Sequence, residues 1–463
     1  MNGEQLAAAL MRHGLDEAEG ARKRVLADLV LEHFSSLIGG EPAVALWIPG
    51  RIEVFGKHTD YGGGHSLIAP VPRGFLFVAR GRDDRMVTMA DAARGERFGI
   101  ELARSPAESM GESSPAGWRR YAATTVHRLD RNFPGAVRGA DVVFASDLPP
   151  ASGMSSSSAL MVGLATALVR LGSIETTREW QASIRGPVDT AGYYACIENG
   201  MSFASLTGDA GVGTHGGSED HVALTCGRAG HVSAWRFAPI QHVAAAAIPP
   251  DWMFVIASSG VAARKTGAAK DSYNRLSFLV RGLLELWNAS EPPQPSLYAA
   301  LASTPTAVER LTALISSRSA ADPAALDLGN RLTHFRNEDA RIDDAVQAFR
   351  SADRDRIGAL SDESQSDAEL LLQNQVAETV ALARAARTLG AFGASSFGAG
   401  FGGSVWALVA RSDAADFSAR WLTEYRRAFP QRDSATVFLA PPGPALTWLS
   451  GQLPTVQRSN DPS

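Results

Sequence analysis

Cysteine is nearly absent, with Cys196 and Cys226 the only two in 463 residues. That excludes a disulfide framework, and two buried, reduced thiols in a cytoplasmic protein are the expectation, with a single disulfide as the alternative. Long apolar runs are missing as well. Leu6 to Met11 is a short stretch that stops at Arg12. It is far below the ~18 residues of a spanning helix and unlike a signal peptide, so no membrane partner is expected. Lysine is scarce, with Lys23, Lys57, Lys265 and Lys270 the only four among 44 basic residues. A net charge of −5 leaves no basic field for nucleic acid. An anionic nucleotide would therefore need local donors or a metal. Finally, no Gly-x-x-x-x-Gly-Lys-Ser/Thr stretch occurs, which excludes a Walker-type phosphate site.

What is present describes an ordinary globular protein, 45% apolar and 20% charged. The length exceeds one core and predicts two domains, over 1–235 and 236–450, with a polar, disordered tail over 451–463. The pattern predicts helices over 4–38, broken near Gly14 or Gly20, and over 118–132, 156–170, 266–289, 324–351 and 366–389. Strands are predicted at 43–48, 66–70, 75–79, 141–145, 222–225, 232–237, 253–258 and 404–410, and a loop at 105–117. Runs of helices beside a few strands indicate an α+β fold. There is no internal repeat.

Three stretches carry chemistry. Pro49 to Gly64 packs Arg51, Lys57, His58 and Asp60 into a glycine-bounded loop after an apolar strand. Gly153-Met154-Ser155-Ser156-Ser157-Ser158 lies between a strand and a helix. Its unpaired first-turn N–H groups would cradle a phosphate, with a serine hydroxyl free for Mg²⁺. A serine-rich helix cap is the alternative. Gly398 to Gly403 satisfies a dinucleotide pattern, but it follows a helix and opens a strand, the reverse of that fingerprint's context. A glycine loop approaching a substrate or nucleotide fits better, with a plain turn as the alternative.

Gly216 to His221 holds the candidate base. A carboxylate can take a proton from a hydroxyl, and a nearby arginine keeps it ionised. Asp220 and Arg51 could form that pair. If the segment is extended, Glu219 faces away from it.

Together these stretches resemble the galactokinase branch of the GHMP kinase superfamily (galacto-, homoserine, mevalonate and phosphomevalonate kinases), over most of residues 40–440. Pro49-Gly50-Arg51 through Gly56-Lys57-His58-Thr59-Asp60-Tyr61 is similar to the galactokinase signature. Pro149 to Ala159 is similar to the second motif, and Gly393 to Leu408 to the third. The resemblance implies a ribosomal-S5-like N-terminal domain, a ferredoxin-like C-terminal domain and ATP-dependent phosphorylation of a sugar at its anomeric hydroxyl. It implies Asp220 and Arg51 as catalytic residues, and His58, Asp60, Gly217 and Tyr273 as sugar contacts, with Lys57 among the substrate residues. It further implies ATP contacts at Gly153, Ser155, Ser156, Ser157, Ser158, Gly400 and Gly402, and Mg²⁺ at Ser156, Ser157 and Glu198. The partners are then a small sugar and ATP, in a monomer or a dimer.

Three departures from the family pattern stand out. Lys57 replaces a sugar-gripping glutamate, Glu198 lies further from Gly217 than usual, and Gly217-Ser218-Glu219-Asp220-His221 replaces Gly-Ile-Met-Asp-Gln. Lysine only donates and is positive, so a uronic acid such as galacturonate is a second expectation beside galactose. A non-catalytic sugar and ATP sensor is a third.

Overall fold

The computed structural model describes residues 1–102, 115–263, 268–317 and 323–450. The expected tail and nearly all of the 105–117 loop lie outside them.

From Val44 to Ile48 every residue is apolar, as a strand covered on both faces requires. Strand β1 (Val44–Phe55) sends Val44, Leu46 and Ile48 to one core and Ala45 and Trp47 to another. The first core is closed by the helices Trp118–Asn132 and Ser156–Gly172. The second is closed by the helices Gly3–Arg12 and Glu17–Leu37, which break at Gly14. Leu26, Val30 and Phe34, at helical spacing, are buried there, each contributing roughly 1.5–3 kcal/mol of apolar burial.

β1 pairs with β2 (His65–Gly81), a single long strand where two short ones were expected. Beyond β2 come β5 (Ala140–Ser146), β3 (Met86–Asp91) and β4 (Glu96–Glu101), with β3 and β5 parallel. β6 (His231–Arg236) pairs with both β2 and β7 (Gln241–Ala247). β12 (Thr447–Ser450) pairs with β1, completing an eight-stranded sheet among the described residues.

A second, four-stranded antiparallel sheet has the order β11 (Thr436–Leu439), β8 (Trp252–Ser258), β10 (Ser404–Ala410), β9 (Gly393–Phe397). Val255, Ala257, Val405 and Ala407 face the helices Ala377–Thr388 and Ala414–Ala428. The alternate residues Phe254, Ile256, Trp406 and Leu408 face the large core, with Phe349 and Leu360 packed among them. The domain division expected at 235 therefore falls inside a hairpin. β7 stays with the first sheet, the second begins at Trp252, and β12 returns to the first.

Two further expectations change. The predicted helix over 366–389 is divided, because the helix Arg354–Asp367 runs into a wider turn at Ala368–Leu372 before Ala377–Thr388. The predicted strand over 222–225 is part of a helix, Glu219–Cys226. Its β-branched residues suggested a strand, but Val222 and Ala223 pack against Ile68 and Trp235 while the Asp60 carboxylate accepts the Glu219 N–H at 3.1 Å. Among the described residues no helix is long and apolar enough to cross a membrane. Both cysteines are free, and half-buried rather than fully buried.

Candidate active site

Ile52 and Val54 continue into the core, so strand alternation turns Arg51 and Glu53 to the opposite side. The strand ends at Gly56, whose φ is 88° and whose missing Cβ would stand 2.3 Å from the His65 carbonyl oxygen. Only glycine fits that turn. The Thr59 hydroxyl, 2.8 Å from Gly56 O and 2.7 Å from His65 O, closes the loop. His58 and Asp60 are thereby held beside Arg51.

The Arg51 guanidinium meets Asp220 Oδ1 at 2.6 Å through Nη2 and donates to Gly153 O at 2.6 Å through Nη1. Its Nε stands 3.5 Å from Glu219 Oε1. Burial works against this cation, but Asp220, Glu219 and Glu53 outweigh it and raise its pKa. The expected pairing of Arg51 with Asp220 is present, whereas Glu219 does not face away. In a helix's first turn both acidic residues reach the guanidinium.

The serine loop supplies the next wall. Ser155 has a left-handed φ of 60° at the N-cap and makes no side-chain cap hydrogen bond. Its buried Oγ has no protein partner. The cap alternative therefore fails at this position, and the helix dipole and first-turn donors point at open space. Ser158, one residue into the helix from its neighbours, turns the other way. Its Oγ donates to Glu198 Oε2 at 2.7 Å and stands 3.3 Å from Asp220 Oδ2. His221 Nε2 lies 3.3 Å from the same Glu198 oxygen.

Two cavities meet here. The smaller is lined by Arg51, Glu53, His58, Asp60, Glu198, Gly217, Asp220 and Tyr273. The four expected sugar residues other than Lys57 are thus brought together. Gly217 is needed as glycine, since a Cβ would meet Asp60 Oδ2 at 2.3 Å. The larger, an open cleft of about 910 Å³, is lined by Gly153, Ser155, Ser156 and Ser157, with Phe75, Trp118, Tyr121 and Phe144 beyond them. Arg51, Asp220 and Ala399 border both.

Lys57 does not reach the smaller cavity. It is buried, its Nζ donating to Ser395 Oγ at 2.6 Å and to Ser364 O at 3.3 Å. Glu338, below it, accepts the Gly56 and Lys57 N–H groups at 2.8 and 3.1 Å and binds Arg341 at 2.9 Å. The turn at Gly56 directs Lys57 into the junction between the two sheets, so the carboxylate-sugar expectation loses its geometry. Gly400 and Gly402 are also displaced from their expected role. Neither lines a cavity: a Cβ there would meet Asn374 and Val261, while Gly398 and Ala399 border the smaller cavity and Ala399 the larger one as well. The expected metal set is split, with Ser156 and Ser157 on the cleft and Glu198 on the smaller pocket, bonded to Ser158 instead. Among the described residues no three His, Cys, Asp or Glu side chains group as a metal site on their own.

Sequence reasoning missed Glu53 and undervalued Glu219. The signal was there for Glu53: a charge two residues after Arg51 in an apolar strand shares its face. Glu53 accepts the His58 N–H at 3.2 Å and the Gly398 N–H at 2.9 Å. It thus ties the first motif to the third.

Comparison with known proteins agrees with this arrangement. Residues 120–196 match the GHMP kinases N terminal domain and 345–427 the GHMP kinases C terminal domain. The chain belongs to the GHMP kinase superfamily. Residues 32–81 match the galactokinase galactose-binding signature. A galactokinase of Roseiflexus sp. (strain RS-1) is 26% identical over 83% of this chain and 88% of its own length. One of Streptomyces coelicolor is 26% identical over 83% of this chain and 89% of its own. A higher identity, 31%, to a Streptococcus thermophilus galactokinase spans only 37% of that relative. These place the chain in the galactokinase branch. Lactococcus lactis galactokinase complexed with galactose has a similar fold, with a TM-score of 0.73 at 21% identity over 91% of this chain and 99% of that one. Methanococcus jannaschii mevalonate kinase is more distant, with a TM-score of 0.51 at 14% identity over 87% of this chain and 98% of that one.

Proposed function

We propose that this protein transfers the γ-phosphoryl group of ATP to the anomeric hydroxyl of galactose. The observation that carries the reading is the Arg51–Asp220 pair at the junction of the two cavities. Galactose occupies the smaller cavity, with its hydroxyls against His58, Asp60 and Tyr273. ATP lies along the larger cleft, its phosphates on the free donors after Gly153 and its base against the aromatic wall of Trp118, Tyr121 and Phe144. The sugar's anomeric oxygen and the γ-phosphorus then face each other beside Arg51.

Asp220 accepts the hydroxyl proton, and Arg51 both keeps Asp220 ionised and offsets charge on the transferring group. Most of the acceleration comes from positioning and charge stabilisation, as phosphoryl transfer demands. The residues present fit Mg²⁺, because the Glu198 carboxylate and Ser158 hydroxyl converge as hard oxygen donors beside the serine loop. A magnesium site of this kind uses one or two carboxylates and completes its shell with phosphate oxygens. Glu198 and Ser158 would hold the ion, which supplies neutralisation of phosphate charge when bound.

An ATP-consumption assay across galactose, other neutral hexoses and galacturonate tests the proposal. Turnover with galactose and none with galacturonate is expected. Turnover confined to uronates, or sugar binding without turnover, would overturn it.

The pH dependence of sugar binding follows from Asp60. Burial pushes its carboxyl up to about 6, against the Glu219 N–H bond and aided by the Asp220 charge. A raised carboxyl contributes stability that is fully present below its unfolded value and is lost as pH rises through about 6. The ionised form is the stronger acceptor for a sugar hydroxyl. KM for galactose is therefore expected to rise as pH falls through about 6, and Asp60→Asn to flatten that dependence. Steady-state kinetics over pH, with kcat separated from KM, checks it.

A further inference from the structure

Three carboxyls crowd one guanidinium. Arg51 pairs with Asp220 at 2.6 Å, stands 3.5 Å from Glu219, and shares its strand face with Glu53. Glu53 and Glu219 are both buried, and each lies within the other's electrostatic reach. With the single guanidinium already paired to Asp220, two further buried carboxyls repel unless one holds a proton. Only the protonated one can donate, since ionised carboxylates only accept. Glu53 already accepts backbone N–H groups on both oxygens, from His58 at 3.2 Å and Gly398 at 2.9 Å. Glu53 is thus the carboxylate of the pair.

We propose that Glu219 is held as a neutral acid that donates to Glu53, acting as a positioning residue that leaves the Arg51 charge to Asp220 and the transferring phosphoryl group. The second half rests on the kinase reading above, while the proton assignment does not. The titratable and charged groups facing Glu219 are Arg51 and Glu53 on β1, Asp60 on the turn that follows, and Asp220 on its own helix. Ser66 on β2 donates to Glu219 Oε2 at 2.8 Å, and Arg51 stands against Oε1. Burial, followed by the Glu53 charge, drives Glu219 well above the ordinary carboxylate range against the pull of Arg51. Methionine, the residue of the family pattern here, would be neutral as well. The protonated acid keeps that neutrality and adds a donor that fixes Glu53, and through it the backbone of His58 and Gly398. Ionising Glu219 would set a second carboxylate beside Arg51 and next to the phosphoryl group.

Infrared spectroscopy of the full chain at about pH 8, where Asp60 is ionised, tests the proton directly. The C=O stretch of a protonated carboxylic acid is expected in the parent and absent in Glu219→Gln. Galactose kinase kinetics tests the consequence, each variant being read against its own maximum. The parent's kcat should fall about tenfold per pH unit once Glu219 ionises, and that of Glu219→Gln by less than about twofold over the same range. Glu53→Gln should move the break to lower pH, because the Glu53 charge is part of what keeps the proton on Glu219. A band that survives Glu219→Gln, or an alkaline fall that this variant retains, overturns the proposal. A band lost in Glu219→Gln with no sugar turnover in the parent supports the proton assignment and counts against the kinase reading.

Discussion

Asp220→Asn lowers kcat for galactose phosphorylation by roughly 10²- to 10⁴-fold, the range expected when a positioned general base is removed. The amide keeps an oxygen for the 2.6 Å contact with Arg51, so the fold and the cavity survive. What is lost is the ability to take the proton and the negative charge that fixes Arg51. ATP and galactose binding should change far less than turnover, since Asp220 borders both cavities without closing either. Single-turnover measurements with saturating ATP and sugar, compared with calorimetric binding, make the separation. If binding and turnover fell together, Asp220 would be a structural member of the wall. An unchanged kcat would remove it from the chemistry altogether.

Lys57→Glu, which writes in the glutamate of the family pattern, is expected to destabilise the protein by about 3–5 kcal/mol and leave the sugar preference unaltered. Lys57 is 1% exposed and donates to Ser395 and Ser364. Burial lowers its pKa, while the Glu338 and Glu53 charges support its protonated form. A glutamate there would face the oxygen of Ser364 and place another carboxylate near Glu338 with no cation added. Lys57→Met should cost less, because Glu338 keeps Arg341 at 2.9 Å and the backbone N–H groups of Gly56 and Lys57. Chemical denaturation of the three proteins gives the order parent, Met, Glu. A Glu variant as stable as the parent, with its preference shifted among sugars, would return Lys57 to the substrate pocket.

The outline of the fold was legible where burial imposes a period. The two-sided apolar run at Val44–Ile48 declared an interior strand, and Leu26, Val30 and Phe34 declared a helix face. The pairing of Arg51 with Asp220 was legible as chemistry, because a base needs a cation, although nothing local joins residues so far apart. Directions after a turn were not legible. Gly56 at φ 88° sends Lys57 to the sheet junction and returns His58 to the cavity, and no propensity encodes that choice. Nor was the helix at Glu219–Cys226 legible, since it depends on the distant Asp60 carboxylate accepting its first amide. Glu219 was misplaced for that reason alone. Tertiary capping decided between two local conformations of similar propensity.

The pairing of β12 with β1 sets the order of events when the chain is made. Ala45 to Trp47 form the edge against which Thr447–Ser450 finally lie, so that edge stands open until nearly every described residue has emerged. An exposed apolar strand edge is a template for pairing with other chains, and contacts so distant in sequence form slowly. The half of the protein that carries Arg51 and the sugar loop is therefore not a unit that matures first and waits for its partner. Its sheet is sealed from the other end of the chain, and the two halves finish folding as one.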